Sequence, residues 1–192
     1  MAGRFLNKVY DHSGTDSRDF YAKWSKIYDS EVSSNGYVTP QRCAKALAQL
    51  SSDFNTPVLD YGCGTGLSGR ALFAEGFTTI HGYDISREML ALANAKSIYS
   101  VLKCFDPGKV PEIAAGMFHA IAAIGVISVG AAPPSTFDLI FDLLAPKGLF
   151  VFSFNDHALA DPSFEAKVKE YTDSSRVEIL FEEYGDHLPG AG

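Results

Sequence analysis

Asp60-Tyr61-Gly62-Cys63-Gly64-Thr65-Gly66 follows a short apolar run, Pro57-Val58-Leu59, and precedes a helical stretch that reaches Glu75. Closely spaced glycines let the backbone turn tightly and approach a ligand with no Cβ in the way. A helix that starts just after such a turn offers free N–H groups and the positive end of its dipole to an anionic group. The next strand, Thr79-Ile80-His81-Gly82-Tyr83, runs into Asp84, 24 positions beyond Asp60. A carboxylate there is suited to accept hydrogen bonds from both hydroxyls of a ribose. A nucleoside-containing cofactor accounts for the loop and the acid together, whereas a plain strand-to-helix turn accounts for the loop alone.

The same rhythm continues downstream. Ser86 reads as the cap of a helix with Met89, Leu90 and Ala93 inward. Ile98 to Cys104 reads as a third strand and Ala120 to Ser128 as a fourth. Ser135 then caps a helix with Phe137, Ile140, Phe141 and Leu144 on one face, and Pro146-Lys147-Gly148 turns it into a fifth strand, Leu149 to Phe154. Asp161-Pro162 opens a helix with Phe164, Val168 and Tyr171 inward, and Val177 to Glu183 reads as a sixth strand. Upstream, Phe20, Tyr21, Trp24, Ile27 and Tyr28 form one face of a helix over residues 17 to 32. Asn35-Gly36 is a turn, and Thr39-Pro40 supplies an N-cap and first-turn proline for a second helix with Cys43, Leu47 and Leu50 inward. Strands alternating with helices predict an α/β fold, a Rossmann-like, mostly parallel sheet flanked by helices. Ligands of such sheets bind beyond the carboxyl ends of the strands.

The third glycine narrows the cofactor. A dinucleotide fingerprint, G-x-G-x-x-G, needs glycine at position 67, where this chain has Leu67. G-x-G-x-G with Asp60 two positions ahead resembles motif I of class I S-adenosylmethionine (SAM)-dependent methyltransferases, and Gly82-Tyr83-Asp84-Ile85-Ser86 resembles the motif that follows it. Trp24-Ser25-Lys26-Ile27-Tyr28-Asp29 and Asn35-Gly36-Tyr37 resemble the Williams–Beuren-region methyltransferase-like group and its bacterial relatives. The resemblance covers roughly residues 20 to 184. It implies SAM as cofactor and S-adenosylhomocysteine as product, held by Asp60, Gly62, Gly64, Gly66 and Asp84. It also implies that Ile85 lies against the adenine and that Asp106 binds the adenine amine, with Phe105 lining the same pocket; Asp106-Pro107-Gly108 otherwise reads as a turn. Residues 1–50 are expected to form an N-terminal helical lid, with Tyr28 and Tyr37 touching the cofactor, over a core of residues 51–192 in one structural domain. Trp24 and Tyr28 also read simply as core. The chain departs from the family pattern at Phe118-His119, where many relatives carry an acid, and in lacking the final antiparallel strand that relatives place between the fifth and sixth.

Methyl transfer from a sulfonium is an in-line displacement at an activated carbon, so the protein must chiefly align the acceptor and exclude water. A general base is required only for a protonated acceptor. The catalytic residues are therefore unknown from sequence. His157, with Asp156 beside it, is the candidate at the end of the fifth strand, against the alternative of an Asx-type turn at Asn155. Ala132-Pro133-Pro134-Ser135 lacks the Asn or Asp and the aromatic residue of the amine-directed nucleic-acid methyltransferase motif and reads as a loop.

Composition sets the outer bounds. The 192 residues are 46% hydrophobic, enough for one domain with a buried core. Sixteen Lys plus Arg against 23 Asp plus Glu give a net charge of −7, with the basic residues scattered singly. A phosphate backbone calls for clustered positive charge, so a small-molecule acceptor is expected and nucleic acid is not. Cys43, Cys63 and Cys104 show no metal-ligand spacing, which predicts free thiols and no metal. The start of the chain lacks an apolar leader and no stretch is long enough to span a bilayer, so a cytoplasmic protein without membrane contact is expected. A catalytically inactive SAM-binding sensor or accessory protein is the alternative function, with a nicotinamide-dependent oxidoreductase behind it.

Overall fold

The computed structural model of the protein describes residues 17–106 and 111–190. Pro107 and Gly108, the side chain of Tyr21 and the first ten residues lie outside the described part. Twelve elements follow one another in the described residues: α1 (Ser17–Ser34), α2 (Thr39–Leu50), β1 (Val58–Tyr61), α3 (Leu67–Ala74), β2 (Ile80–Asp84), α4 (Arg87–Ala95), β3 (Val101–Cys104), β4 (Phe118–Ala123), α5 (Thr136–Leu143), β5 (Leu144–Phe152), α6 (Asp156–Ala160) and α7 (Pro162–Asp173).

The strands form one sheet in the order β3-β2-β1-β4-β5, and every pairing is parallel. The order reverses between β1 and β4, which places the loops after these strands at the switch point where such sheets bind ligands. Alternation along β1 sends its side chains to opposite faces. Leu59 and Tyr61 join Phe118, Ile121, Phe137, Ile140, Phe164 and Tyr171 in the core under α5 and α7. Val58 faces the other way, into a second core built from Ala44 and Leu47 of α2 and from Ala71, Leu72 and Phe77 in and after α3. So α2, assigned by sequence to the lid segment, supplies core residues, while α1 packs through Trp24, Tyr28 and Val32 on Leu67 and Leu188.

Several expectations are corrected. Val177 to Glu183 forms no strand, and Ile179, Leu180 and Phe181 are exposed. The segment has strong strand propensity, but no neighbouring strand offers it a ladder. Ile27 and Leu50, placed inward by periodicity, are also exposed, because α1 and α2 meet the core over only part of their length. Pro146-Lys147-Gly148 lies inside β5: two steps along β4, Phe118 to Ala120, face five along β5, Leu144 to Leu149, and Lys147 takes φ +63°. This irregularity absorbs the extra residues that the sequence presents as a separate turn. The fourth strand begins two residues earlier than expected and stops at Ala123, before Gly125 at φ +70°.

Three capping expectations meet different outcomes. Ser86 caps α4, its hydroxyl accepting from Met89 N at 3.2 Å. Ser135 makes no side-chain cap at α5, where the Thr136 and Phe137 N–H groups donate to the Pro133 and Pro134 carbonyls instead. Thr39 does not cap α2, since Val38 precedes the helix and the Thr39 hydroxyl bonds His187 Nδ1 at 2.7 Å.

Candidate active site

Three glycines set the loop between β1 and α3, with φ of +69° at Gly62, +53° at Gly64 and +93° at Gly66. Those values lie in the left-handed region, where a side chain is strained. The loop is pinned to β2: the Gly62 and Cys63 N–H groups donate to the Tyr83 carbonyl at 2.7 and 3.1 Å. Its crown is pinned to Asp84, whose Oδ2 accepts from Gly64 N at 2.8 Å while Oδ1 accepts from Ser86 N at 2.8 Å. Burial pushes the Asp84 carboxyl above the usual carboxylate range, and these backbone donors oppose the push. A Cβ built on Gly64 would meet nothing within 4 Å, so open space lies beside the crown of the loop. At Gly62 a Cβ would stand 2.5 Å from Val126 Cγ2, so the loop after β4 closes that side.

Asp60 is fully buried beneath the loop. Its Oδ2 accepts from the Ser68 and Tyr99 hydroxyls, each at 2.7 Å, and its Oδ1 has no partner. Burial raises its carboxyl to about 6 despite those bonds. Sequence reading missed Tyr99, although two signals point to it. Gly69 lies inside α3 and Gly82 inside β2, and glycine within an element marks a close approach. A Cβ at either position would come within 2.8 Å of the Tyr99 side chain.

The residues that the sequence resemblance assigns to the adenine lie at the ends of β2 and β3. Ile85 is half-buried, and Phe105 N donates to the Asp84 carbonyl at 3.1 Å, setting exposed Asp106 next to the β2 terminus. The Phe105 ring packs on Tyr61 at 5.4 Å between centroids. On α1, Tyr28 meets Trp24 edge-on at 4.6 Å. The Tyr37 hydroxyl reaches the loop after β4, lying 2.5 Å from where a Cβ on Gly125 would be.

At the far side, Asn155 Oδ1 accepts from Ser128 Oγ at 2.8 Å and from Ala158 N at 3.0 Å, which joins the loops after β4 and β5 and caps α6. Asp156 and His157 are both exposed on the first turn of that helix. His187, unassigned in the sequence, is held by Thr39 and packs edge-on against Tyr37 at 5.2 Å. Burial lowers its imidazole below the usual histidine value, with Asp156 pulling in the opposite direction. No local pattern announces this residue, because its partners lie some 150 positions earlier in the chain.

This arrangement is matched in known proteins. Residues 36–186 fit the family described as "Methyltransferase domain". The chain belongs to that methyltransferase family. Human methyltransferase-like protein 27 is 34% identical over 117 residues, covering 59% of this chain and 48% of the relative. The 18S rRNA (guanine(1575)-N(7))-methyltransferase of Saccharomyces cerevisiae is 34% identical over 91 residues, covering 47% of this chain and 33% of that protein. The chain thus spans about half and one third of these two relatives. Ribosomal protein L11 methylase of Lactobacillus delbrueckii shares the fold, with a TM-score of 0.58 at 21% identity over 79% of this chain and 76% of that one. The family's methyl donor is SAM. The residues present fit it: a buried carboxylate at the end of β2, open space beside Gly64 and an unpartnered acceptor beneath the loop. Among the described residues no cluster of His, Cys, Asp or Glu could hold a metal, all three cysteines are free, and no helix is long and apolar enough to cross a membrane.

Proposed function

We propose that this methyltransferase-family chain transfers the methyl group of SAM to a small-molecule acceptor. The observation that carries the reading is Asp84, a buried carboxylate bound to the crown of the glycine loop, beside open space over Gly64. When bound, SAM supplies a methyl group on a sulfonium, already activated for displacement. Asp84 would hold the ribose hydroxyls, and Gly62, Gly64 and Gly66, above Asp60, would cradle the methionine portion. Ile85 and Asp106 would take the adenine, with Tyr28 and Tyr37 approaching from α1 and the turn after it. The lid is then α1 with that turn, since α2 belongs to the core. For a protonated acceptor, His157 with Asp156 remains a candidate base, and His187 has the more sheltered surroundings of the two histidines.

The net charge of −7 without a basic cluster supports a small acceptor. The similarity to an rRNA methyltransferase is the observation on the other side. The test has two stages. Calorimetry with SAM and S-adenosylhomocysteine should show binding that Asp84→Ala weakens by about 1.5–3 kcal/mol per hydrogen bond lost. Labelled SAM is then offered with a metabolite extract and, separately, with ribosomal RNA. Label in the small-molecule fraction supports the reading, and label only in RNA overturns it. Tight binding with no transfer to either supports the SAM-binding sensor instead.

A further inference from the structure

Asp29 sits on α1 next to Tyr28, and its carboxylate is engaged at both oxygens. Oδ1 accepts from the Thr65 hydroxyl, and Oδ2 accepts from Lys96 Nζ at 2.8 Å. Lys96, the residue that closes α4, donates a second bond to the main-chain oxygen of Thr65 at 2.6 Å. Thr65 is only 1% exposed and stands between Gly64 and Gly66, both in the left-handed region. One loop residue is therefore gripped through its hydroxyl and its carbonyl by groups from two different helices. The Lys96 side chain is 19% exposed and that of Asp29 40%. An ion pair so placed contributes little alone. Here it also carries hydrogen bonds between charged groups and the loop, which are stronger than neutral ones.

We propose that Asp29 and Lys96 are positioning residues for SAM: by clamping Thr65 they hold the flanking glycines in the cofactor-binding conformation and couple that conformation to the docking of α1. The proposal rests on the reading of the glycine loop as the cofactor cradle. Glycines lose more conformational freedom on ordering than other residues, so a loop left unclamped spreads over many conformations. Affinity then falls by the fraction of molecules that remain competent. Clamping the loop before the ligand arrives removes that loss.

Trp24, the only tryptophan in the chain, lies buried on the same helix and reports whether α1 is docked. The experiment measures SAM affinity by calorimetry and Trp24 emission on the full chain, for wild type, Asp29→Asn, Lys96→Met and Lys96→Arg. Lys96→Met keeps the apolar stem but removes both donors, and it should bind SAM about 5–20-fold more weakly. Its free form should show red-shifted Trp24 emission that returns to the wild-type position at saturating SAM. Asp29→Asn should shift both readouts in the same direction, and Lys96→Arg should recover most of the affinity. Wild-type and Lys96→Met proteins with equal SAM affinity would overturn the clamp and leave the cradle reading standing. A lower melting temperature with unchanged SAM affinity in both Lys96→Met and Asp29→Asn would also overturn it, by reducing the pair to a brace. Failure of wild type itself to bind SAM would overturn the cradle reading and the clamp with it.

Discussion

The two halves of the sheet are specified by different physics. Around β1 and β2 the contacts are directional: both Asp84 oxygens accept backbone N–H groups, Thr65 is gripped from two sides, and two hydroxyls converge on Asp60 Oδ2. Around β4 and β5 the contacts are volumetric. Phe137 packs against the rings of Phe141, Phe150, Phe152 and Phe154, with centroids 4.9 to 6.2 Å away. A directional network loses its geometry when one donor moves. An aromatic cluster keeps its shape until volume is removed. The hydrogen bonds that fix the glycine loop are thus concentrated in one half, and the aromatic clustering in the other.

Phe137→Ala tests the volumetric half and should have the largest effect. A buried ring lost from a core costs roughly 3–5 kcal/mol, read as a drop in the denaturation midpoint. SAM affinity per folded molecule should be unchanged, and a large affinity loss would break the division between the halves. Asp60→Asn probes the directional half through pH. The Asp60 carboxyl titrates at about 6 in the folded chain against an ordinary 3.8. Between those values the folded state keeps a proton that the unfolded chain has released, so this group lowers stability as pH rises from 3.8 to about 6 and adds no further change above. The gap corresponds to on the order of 3 kcal/mol. Raised Asp84 acts with the same sign. His81 and His187, lowered by burial, act oppositely: their stabilisation is present above the ordinary histidine value and is lost as pH falls from there through the lowered folded value. The difference between wild-type and Asp60→Asn melts isolates the Asp60 component, and parallel profiles would remove it. Gly64→Ala sharpens the comparison at the smallest scale. Its left-handed backbone should cost about 1–2 kcal/mol of stability, while the methyl group enters the space beside the loop and SAM affinity falls disproportionately.

What was legible in the sequence follows the same division. The glycine loop, Asp84 and the Ser86 cap are local features, each expressed within a few residues, and the structure places them together. Tyr99 was legible only indirectly, through two glycines that make room for it. His187 and Thr39 find each other across most of the chain, and no periodicity encodes such a pairing. The strand reading of residues 177 to 183 failed for a related reason. Its β-branched and aromatic side chains suit a strand, but a strand needs a ladder, and no partner is written into the segment. The reading of Asn155 as an Asx-type turn identified the right hydrogen-bonding residue, while the short helix that it caps went unseen.

The exposed run Ile179-Leu180-Phe181 has a consequence for the molecule's behaviour in bulk solution. An extended, apolar, β-prone stretch is sticky toward its own kind. Here Glu178 precedes the run and Glu182 and Glu183 follow it, so charges guard both ends. Such flanking carboxylates act as gatekeepers against self-association. Replacing these glutamates with glutamine would remove the repulsion and leave the apolar run open to pairing with copies of itself.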